Sequence, residues 1–203
     1  VALLGPNGAG KSELVLAIAG MLPVAAGKIS VDGVDITNRS PDQIRQAGVA
    51  AVPEGHRILG KLNVHDNLRA AAALLSKSEE ASMLETVYQL FPELAERKQQ
   101  IAGTMSGGQQ QMLAIGHAIM AKPRYLLIDE MSLGLAPLIV KRLVSAVSQL
   151  VEQGMGLLLV EQFTEVALGM ANEALLMRTG EVRFYGSVDE VKADPSILDQ
   201  AYF

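Results

Sequence analysis

A glycine-rich octapeptide directly after a short apolar run limits the possible folds of this sequence more than any other segment. Residues 1–4 are all apolar and are followed by Gly5-Pro6-Asn7-Gly8-Ala9-Gly10-Lys11-Ser12. That segment matches the pattern G-x-x-x-x-G-K-[ST] at every fixed position, and residues 12–19 have a helical pattern. A turn of this kind points several backbone N–H groups at one place, where the helix N-terminus adds partial positive charge. The sequence therefore predicts a site for the phosphates of a nucleotide.

Two side chains of this loop and two that follow a later strand are predicted to complete the site. We expect the Lys11 ammonium to reach the β- and γ-phosphates and the Ser12 hydroxyl to bind Mg²⁺. Residues 125–128 form a β-type apolar run that ends in Asp129-Glu130, and ligands of open α/β sheets bind at the carboxyl ends of the strands. There Asp129 would hold Mg²⁺ through a water, and Glu130 would polarise an attacking water. Alone, the acidic pair is equally compatible with a solvated strand end; with the loop, it predicts a site for ATP and Mg²⁺.

The rest of the chain alternates between strand and helix patterns. The apolar runs at 49–52 and 157–160 are typical of buried strands, and residues 106–121 and 137–153 have helical patterns. Buried strands separated by helices predict a parallel sheet with helices on both faces. We therefore expect an α/β fold of the P-loop NTPase type.

Four further segments depart from that alternation. Residues 28–32 alternate between apolar and polar, which predicts an exposed antiparallel strand. Residues 63–98 are rich in Ala, Leu and Glu with helical periodicity, which predicts a helical subdomain. Residues 173–177 and 182–185 flank a Thr-Gly-Glu turn and predict a hairpin, and the tail from Ser187 onward is polar and helical.

Composition excludes several classes of protein. The chain has 203 residues, enough for one domain or at most two. Lys and Arg number 17 against 22 Asp and Glu, and the net charge of -5 argues against a nucleic-acid-binding protein. The absence of Cys excludes disulfides and zinc–thiolate sites. No apolar run approaches the roughly 18 residues that a membrane-spanning helix needs.

A second motif carries a resemblance to a known family. It lies between the phosphate loop and the strand that ends at Asp129, and it runs Met105-Ser106-Gly107-Gly108-Gln109-Gln110-Gln111-Met112. This resembles, in sequence and in order, the signature motif of ATP-binding-cassette (ABC) transporter ATPases. Four segments more narrowly resemble the cytoplasmic ATPase of branched-chain amino acid importers: Val52-Pro53-Glu54-Gly55, Gln109-Gln110-Gln111-Met112-Leu113-Ala114-Ile115-Gly116, Ser132-Leu133-Gly134-Leu135-Ala136-Pro137 and Val160-Glu161-Gln162.

The resemblance implies a head-to-tail dimer, homomeric or heteromeric, with two ATP molecules between the subunits. In that arrangement Ser106, Gly107 and Gly108 contact the γ-phosphate bound by the other subunit. Gln109 is expected to belong to the same nucleotide-binding group. Ser106 lies where it would cap a helix, so its hydroxyl and the glycine N–H groups would form an anion site. The resemblance also implies permease subunits, and indirectly a solute-binding receptor, at the cytoplasmic face of the plasma membrane.

Three polar residues occupy positions at which relatives differ. Glu54 lies where most relatives have a Gln that senses the γ-phosphate. We predict that it belongs, with Ser12 and Asp129, to the Mg²⁺ site. Gln162 lies at the position of the switch histidine and is predicted to act in catalysis, since an amide can donate or accept a hydrogen bond there. Glu13 replaces a second hydroxyl and is expected beside the α-phosphate, which it would repel unless it points away. An exposed loop carboxylate at Glu54 and a satisfied strand-end amide at Gln162 are the alternatives.

The resemblance implies one ABC ATPase domain over residues 1–203. Its RecA-like core would comprise 1–60 and 122–203, and its helical subdomain, with the signature motif, 61–121. Relatives carry two or three strands upstream, with an aromatic side chain that stacks on adenine, so we expect the antiparallel β portion to be truncated here. The three histidines are isolated in sequence and are not predicted as metal ligands.

Several functions stay open at this point. The chain is predicted to be an ATPase that powers import of branched-chain or related amino acids, or of another small solute such as an amide. A regulatory subunit that binds ATP and hydrolyses it poorly is the second alternative, favoured by Glu13 and by Ala136, which stands where many relatives have an interface Asp. A DNA-repair or chromosome-organising ATPase would need a long coiled coil or zinc modules, for which the sequence has neither room nor Cys.

Overall fold

The computed structural model describes residues 1–55 and 58–202 and contains a six-stranded sheet. Including a separate pair, the strands are β1 (Ala2–Leu4), β2 (Ser30–Val31), β3 (Val34–Asp35), β4 (Val49–Val52), β5 (Tyr125–Asp129), β6 (Gly156–Val160), β7 (Glu173–Arg178) and β8 (Glu181–Ser187). The sheet has the order β4-β5-β6-β1-β7-β8, in which the first five strands are parallel and β8 is antiparallel to β7. β2 and β3 form the separate antiparallel pair. The predicted α/β fold with a largely parallel sheet is confirmed.

Both antiparallel pairs turn through two residues with positive φ. The strand predicted over 28–32 is shorter than expected, because the chain reverses at Asp32 (φ 49°) and Gly33 (φ 79°). The predicted hairpin between β7 and β8 turns at Thr179 (φ 49°) and Gly180 (φ 79°). Two successive left-handed residues match the right-handed twist of paired strands, which explains the tight connections.

The helices separate the parallel strands as expected. Within the described residues they are α1 (Lys11–Ile18), α2 (Pro41–Gln46), α3 (Val64–Ala71), α4 (Lys77–Leu90), α5 (Pro92–Ala95), α6 (Gly107–Ile119), α7 (Pro137–Glu152), α8 (Thr164–Met170), α9 (Val188–Ala193) and α10 (Ser196–Tyr202), with a 3₁₀ turn at Ala102–Thr104. None of these helices combines the length and the apolar character required to cross a bilayer. The structure adds α2 and α8, which the sequence patterns did not predict, and divides the predicted segment 63–98 into α3, α4 and α5.

Helix caps explain two of these differences. α2 begins with a capping box in which Ser40 and Gln43 bond each other's backbone N–H, with Pro41 in the first turn. A second capping box, Ser76 with Glu79, begins α4 and so interrupts the long helical pattern. Such reciprocal caps satisfy free N–H groups and fix where a helix starts.

The two faces of the sheet bury different side chains. Leu126 belongs to the larger core, with Ile115 of α6, whereas the next residue, Leu127, belongs to the smaller core with Val15 of α1. Successive residues of a strand point to opposite faces, so each buried strand contributes to both cores. Helices therefore cover both faces, as predicted.

The register of the parallel strands brings their carboxyl ends to one edge. Val52 pairs with Ile128, Asp129 with Val160, and Leu3 also with Val160. The loops that follow β1, β4, β5 and β6 consequently leave the sheet side by side.

Candidate functional site

The glycine-rich loop needs two of its glycines for backbone reasons alone. At Gly5 (φ 152°) a Cβ would lie 2.2 Å from the carbonyl oxygen of Met177 on β7. Gly10 (φ 96°) is the left-handed N-cap residue of α1. Since a side chain is excluded at the first position and strained at the second, the chain can turn from β1 into α1 only with glycine there.

Lys11 lies inside this loop. Its side chain is 5% exposed, and Nζ donates to the carbonyl oxygens of Gly5 at 2.8 Å and Pro6 at 2.9 Å. Burial lowers the pKa of Lys11, and the charges of Glu130, Asp129 and then Glu13 oppose that shift. Glu13 itself is exposed, so its carboxylate does not occupy the loop.

Asp129 lies beside the loop with one oxygen unpaired. It is 2% exposed at the end of β5, and Oδ1 has no hydrogen-bond partner within residues 1–55 and 58–202. The side chain of Ser12 is hydrogen-bonded to this carboxylate, which opposes the rise in the pKa of Asp129 caused chiefly by burial. The charge of Glu54 raises that pKa further. A buried, unpaired carboxylate oxygen next to a hydroxyl is a donor set that suits Mg²⁺.

Glu130 follows in a strained conformation. Its φ is 54°, a left-handed value that is unusual for a residue with a side chain, and its N–H donates to the carbonyl of Val160 at 2.9 Å. Burial raises the pKa of Glu130, and the charges of Glu54 and Asp129 raise it further. A carboxylate with a raised pKa is a stronger base, and strain of this kind is concentrated at functional positions.

The other predicted residues of this edge lie at its surface. Glu54 follows β4 and is exposed, yet its charge acts on both Asp129 and Glu130. Gln162 follows β6 and is exposed as well. The loops after β1, β4, β5 and β6 thus bring one ammonium, one hydroxyl, one amide and several carboxylates to a single edge. Within the described chain, no group of three or more His, Asp or Glu side chains could hold a metal ion. Mg²⁺ at Ser12 and Asp129 would take its remaining ligands from water and phosphate oxygens, as is usual for this ion.

The signature segment forms a separate structure at the start of α6. As expected, Ser106 is the N-cap: its hydroxyl accepts from the N–H of Gln109 at 3.4 Å, and the Gln109 side chain accepts from the N–H of Ser106 at 3.1 Å. Ser106 and Gly107 are exposed. Gly108 is buried, and a Cβ there would lie 2.6 Å from Cγ2 of Ile139 on α7. Among the hydrogen bonds of residues 1–55 and 58–202, none joins Ser106, Gly107, Gly108 or Gln109 to the phosphate loop.

Sequence reasoning missed a buried carboxylate between two of these loops. Glu161 is 1% exposed and accepts from Ser132, from N–H at 3.0 Å and from Oγ at 2.5 Å. Burial raises the pKa of Glu161. The signal in the sequence was an acidic residue directly after the apolar run 157–160.

The histidines are not gathered at the site. His65 bonds the Tyr88 hydroxyl at 2.9 Å within the helical segment, and His117 is half-buried in α6. His56 lies outside the described residues, as does Arg57, which flanks the Glu54 loop in sequence.

Comparison with known proteins identifies relatives of this chain. The sequence matches the ABC transporter family over residues 1–132. The high-affinity branched-chain amino acid transport ATP-binding protein BraG of Pseudomonas aeruginosa is 39% identical over 199 residues, which cover 98% of this chain and 85% of that protein. The probable branched-chain amino acid transport ATP-binding protein LivF of Archaeoglobus fulgidus is 34% identical over 191 residues, covering 94% of this chain and 81% of that protein. A crystal structure of an ATP-binding cassette of an ABC transporter, in its ADP conformation, superposes with a TM-score of 0.81 at 25% identity, covering 98% of this chain and 85% of the other.

Proposed function

This chain belongs to the ABC transporter family as an ATP-hydrolysing subunit, and from that premise we propose that it powers the import of branched-chain amino acids. Two transport ATP-binding proteins for these solutes, at 39% and 34% identity, support the choice of solute. The observation that carries the chemistry is the convergence of Lys11, Ser12, Asp129 and Glu130 at one edge of the sheet, with a buried Asp129 oxygen left unpaired.

In the proposed site, each side chain has one task. Backbone N–H groups of the loop after Pro6, up to residue 13, and the Lys11 ammonium bind the phosphates. Ser12 and Asp129, with Glu54 nearby, hold Mg²⁺, which would neutralise phosphate charge. Glu130 accepts a proton from the attacking water, and its raised pKa suits that role. Gln162 offers an amide to the γ-phosphate region.

The proposed assembly is larger than this chain. Ser106, Gly107, Gly108 and Gln109 would contact the nucleotide of a second ATPase subunit, identical or not. Residues 1–60 and 122–203 would act as the nucleotide-binding core and 61–121 as the helical subdomain. ABC ATPase subunits pair with permeases, and we propose that this one does so at the cytoplasmic face of the plasma membrane, with a solute-binding receptor acting on the far side. The alternative of a poorly hydrolysing subunit loses support because Glu13 is exposed.

Replacing Glu130 tests the chemistry. We expect Glu130→Gln to lower kcat for ATP hydrolysis by about a hundredfold or more, because the amide cannot accept the proton, while ATP is still bound. Glu165→Gln, an exposed carboxylate on α8, is the control and should hydrolyse ATP at the parental rate. Parental turnover in Glu130→Gln would show that Glu130 is not the base.

A transport assay tests the solute. In vesicles that contain this chain with its permease and receptor, ATP should drive uptake of labelled leucine and not of labelled glutamine. Uptake of glutamine in place of leucine would replace the branched-chain assignment by the amide one and leave the ATPase assignment intact.

A further inference from the structure

A buried carboxylate joins the loops that carry Glu130 and Gln162. It has no part in the ATP hydrolysis chemistry proposed for this site. Glu161 lies between β6 and Gln162 and is 1% exposed. It accepts the Ser132 N–H at 3.0 Å and the Ser132 hydroxyl at 2.5 Å, and it also accepts a backbone hydrogen bond from Met131. These donors are the two residues that follow Glu130.

The bonds of Glu161 extend the pairing of β5 with β6 past the end of the strands. The last paired residues are Asp129 and Val160, and the Val160 carbonyl then accepts the Glu130 N–H at 2.9 Å. From there the Glu161 carboxylate takes over as acceptor for the next two N–H groups. Hydrogen bonds therefore hold the left-handed turn at Glu130 in two places. The Val160 carbonyl accepts the N–H of Glu130 itself, and the Glu161 carboxylate accepts the N–H groups of the next two residues.

We propose that Glu161 is a positioning residue for ATP hydrolysis: it fixes the loop after β5 so that Glu130 faces the phosphate edge, and it ties that loop to Gln162. The inference rests on the proposed role of Glu130 as the base. A displacement of about 1 Å at a reacting group can cost a hundredfold in rate, which gives such a clamp a measurable effect.

The choice of a carboxylate supports a role beyond packing. Burying a charge is costly unless several donors compensate it, and a neutral side chain of similar size would fill the space more cheaply. Here the negative charge of Glu130 additionally raises the pKa of Glu161, after the larger effect of burial. A carboxylate does supply what no neutral side chain can, namely acceptor capacity for three donors at once.

The first test separates turnover from binding. Glu161→Gln keeps the shape but replaces one acceptor oxygen by an NH₂ group, so the Ser132 hydroxyl loses its acceptor and has to turn to accept instead. We expect kcat to fall roughly tenfold, with KM for ATP and the affinity for ATP without Mg²⁺ changed less than about twofold. Glu190→Gln is the matched control, because Glu190 accepts from the N–H (3.3 Å) and hydroxyl (2.8 Å) of Ser187 at the exposed start of α9. It should keep the parental kcat.

Combined variants show whether Glu161 acts through its neighbours. Ser132→Ala removes one donor and should also lower kcat, and the double variant with Glu161→Gln should be no slower than the slower single one, since both break the same contact. In a Glu130→Gln background, Glu161→Gln should cause no further loss. Additive losses in either cycle would overturn the inference.

Amide hydrogen exchange in the nucleotide-free protein provides a readout without turnover. Exchange at Met131 and Ser132 should be roughly tenfold faster in Glu161→Gln than in the parent, and unchanged in Glu190→Gln. The inference fails if exchange is unchanged, if kcat is parental, or if ATP affinity falls as much as kcat. The same variants separate this inference from the proposed function. If Glu130→Gln is slow and Glu161→Gln hydrolyses ATP at the parental rate, only the positioning role of Glu161 is overturned. If Glu130→Gln hydrolyses ATP at the parental rate, the role of Glu130 as the base is overturned.

Discussion

The phosphate loop and the signature segment are both glycine-rich starts of helices, yet one is enclosed by its own chain and the other faces outward. Lys11 and Asp129 are buried, and their electrostatic partners lie on neighbouring strands and loops. Ser106 and Gly107 are exposed, and Ser106 bonds Gln109 within the first turn of its own helix. The groups of the first arrangement are already assembled within one chain, whereas the second leaves Ser106 and Gly107 accessible at the surface.

This contrast has a physical reason. Shifted pKa values and strong electrostatic stabilisation require groups that are withdrawn from water before the substrate arrives. A helix N-terminus that is to contact a nucleotide on another subunit must stay accessible until the subunits meet. The contrast accords with the proposed dimer, in which each chain contributes one half of each site.

The largest expected effect on ATP hydrolysis comes from a substitution in the enclosed phosphate loop. Lys11→Ala should lower kcat/KM for ATP by about a hundredfold or more, because the buried ammonium is the positive side chain inside the loop. Steady-state hydrolysis and fluorescent-nucleotide titration would measure it. Lys61→Ala, an exposed lysine ahead of α3, should match the parent. Equal activity of the two variants would show that the phosphate loop does not carry out the chemistry.

A smaller effect is expected on the outward side. Ser106→Ala should destabilise the fold by about 1 kcal/mol through loss of the cap and should also slow hydrolysis roughly tenfold. Ser76→Ala removes a capping box of the same kind at α4 and should lose similar stability at parental hydrolysis. Chemical denaturation and ATPase assays compare the two serines. If both variants hydrolyse ATP equally, Ser106 is a cap and nothing more.

Gly108 is the buried residue of the signature segment, in contrast to the exposed Ser106 and Gly107. Gly108→Ala should cost about 1–3 kcal/mol of stability, because its Cβ would lie 2.6 Å from Cγ2 of Ile139. Ile139→Ala removes that atom, so the double variant should be more stable than the sum of the two single losses predicts. Urea denaturation measures all four proteins. Strict additivity would show that α7 does not restrict this position.

Local patterns were enough to predict most of this architecture. The phosphate loop, the strand that ends at Asp129 and the cap at Ser106 each depend on a few neighbouring residues, and each is found where the sequence indicated. Helix α8 escaped prediction because it is seven residues long and its N-cap position, Phe163, makes no side-chain cap bond. Short helices without such signals depend on tertiary packing.

Contacts between distant residues could not be predicted from those patterns. Glu161 and Ser132 are 29 positions apart, and only the register of β5 with β6 makes them neighbours. The unpaired Asp129 oxygen and the packing of Gly108 on Ile139 likewise depend on how elements meet. The sequence predicted which types of residue lie at the candidate site, whereas their burial and pairing had to come from the three-dimensional structure.

The smallest expected effect concerns the far part of the helix that begins at Ser106. Burial, and after it the charge of Arg45, lowers the pKa of His117 below its ordinary value of 6.5. The unfolded chain therefore binds more protons than the folded one at mildly acidic pH, so this stabilising contribution is complete above pH 6.5 and is lost as pH falls through the folded pKa. His117→Gln should make the melting temperature less sensitive to acid between about pH 7.5 and about pH 5.5, as calorimetry can measure. Arg45→Gln removes the second cause and should give an intermediate sensitivity. Identical slopes in the parent and His117→Gln would show that acid does not act on α6 through this side chain.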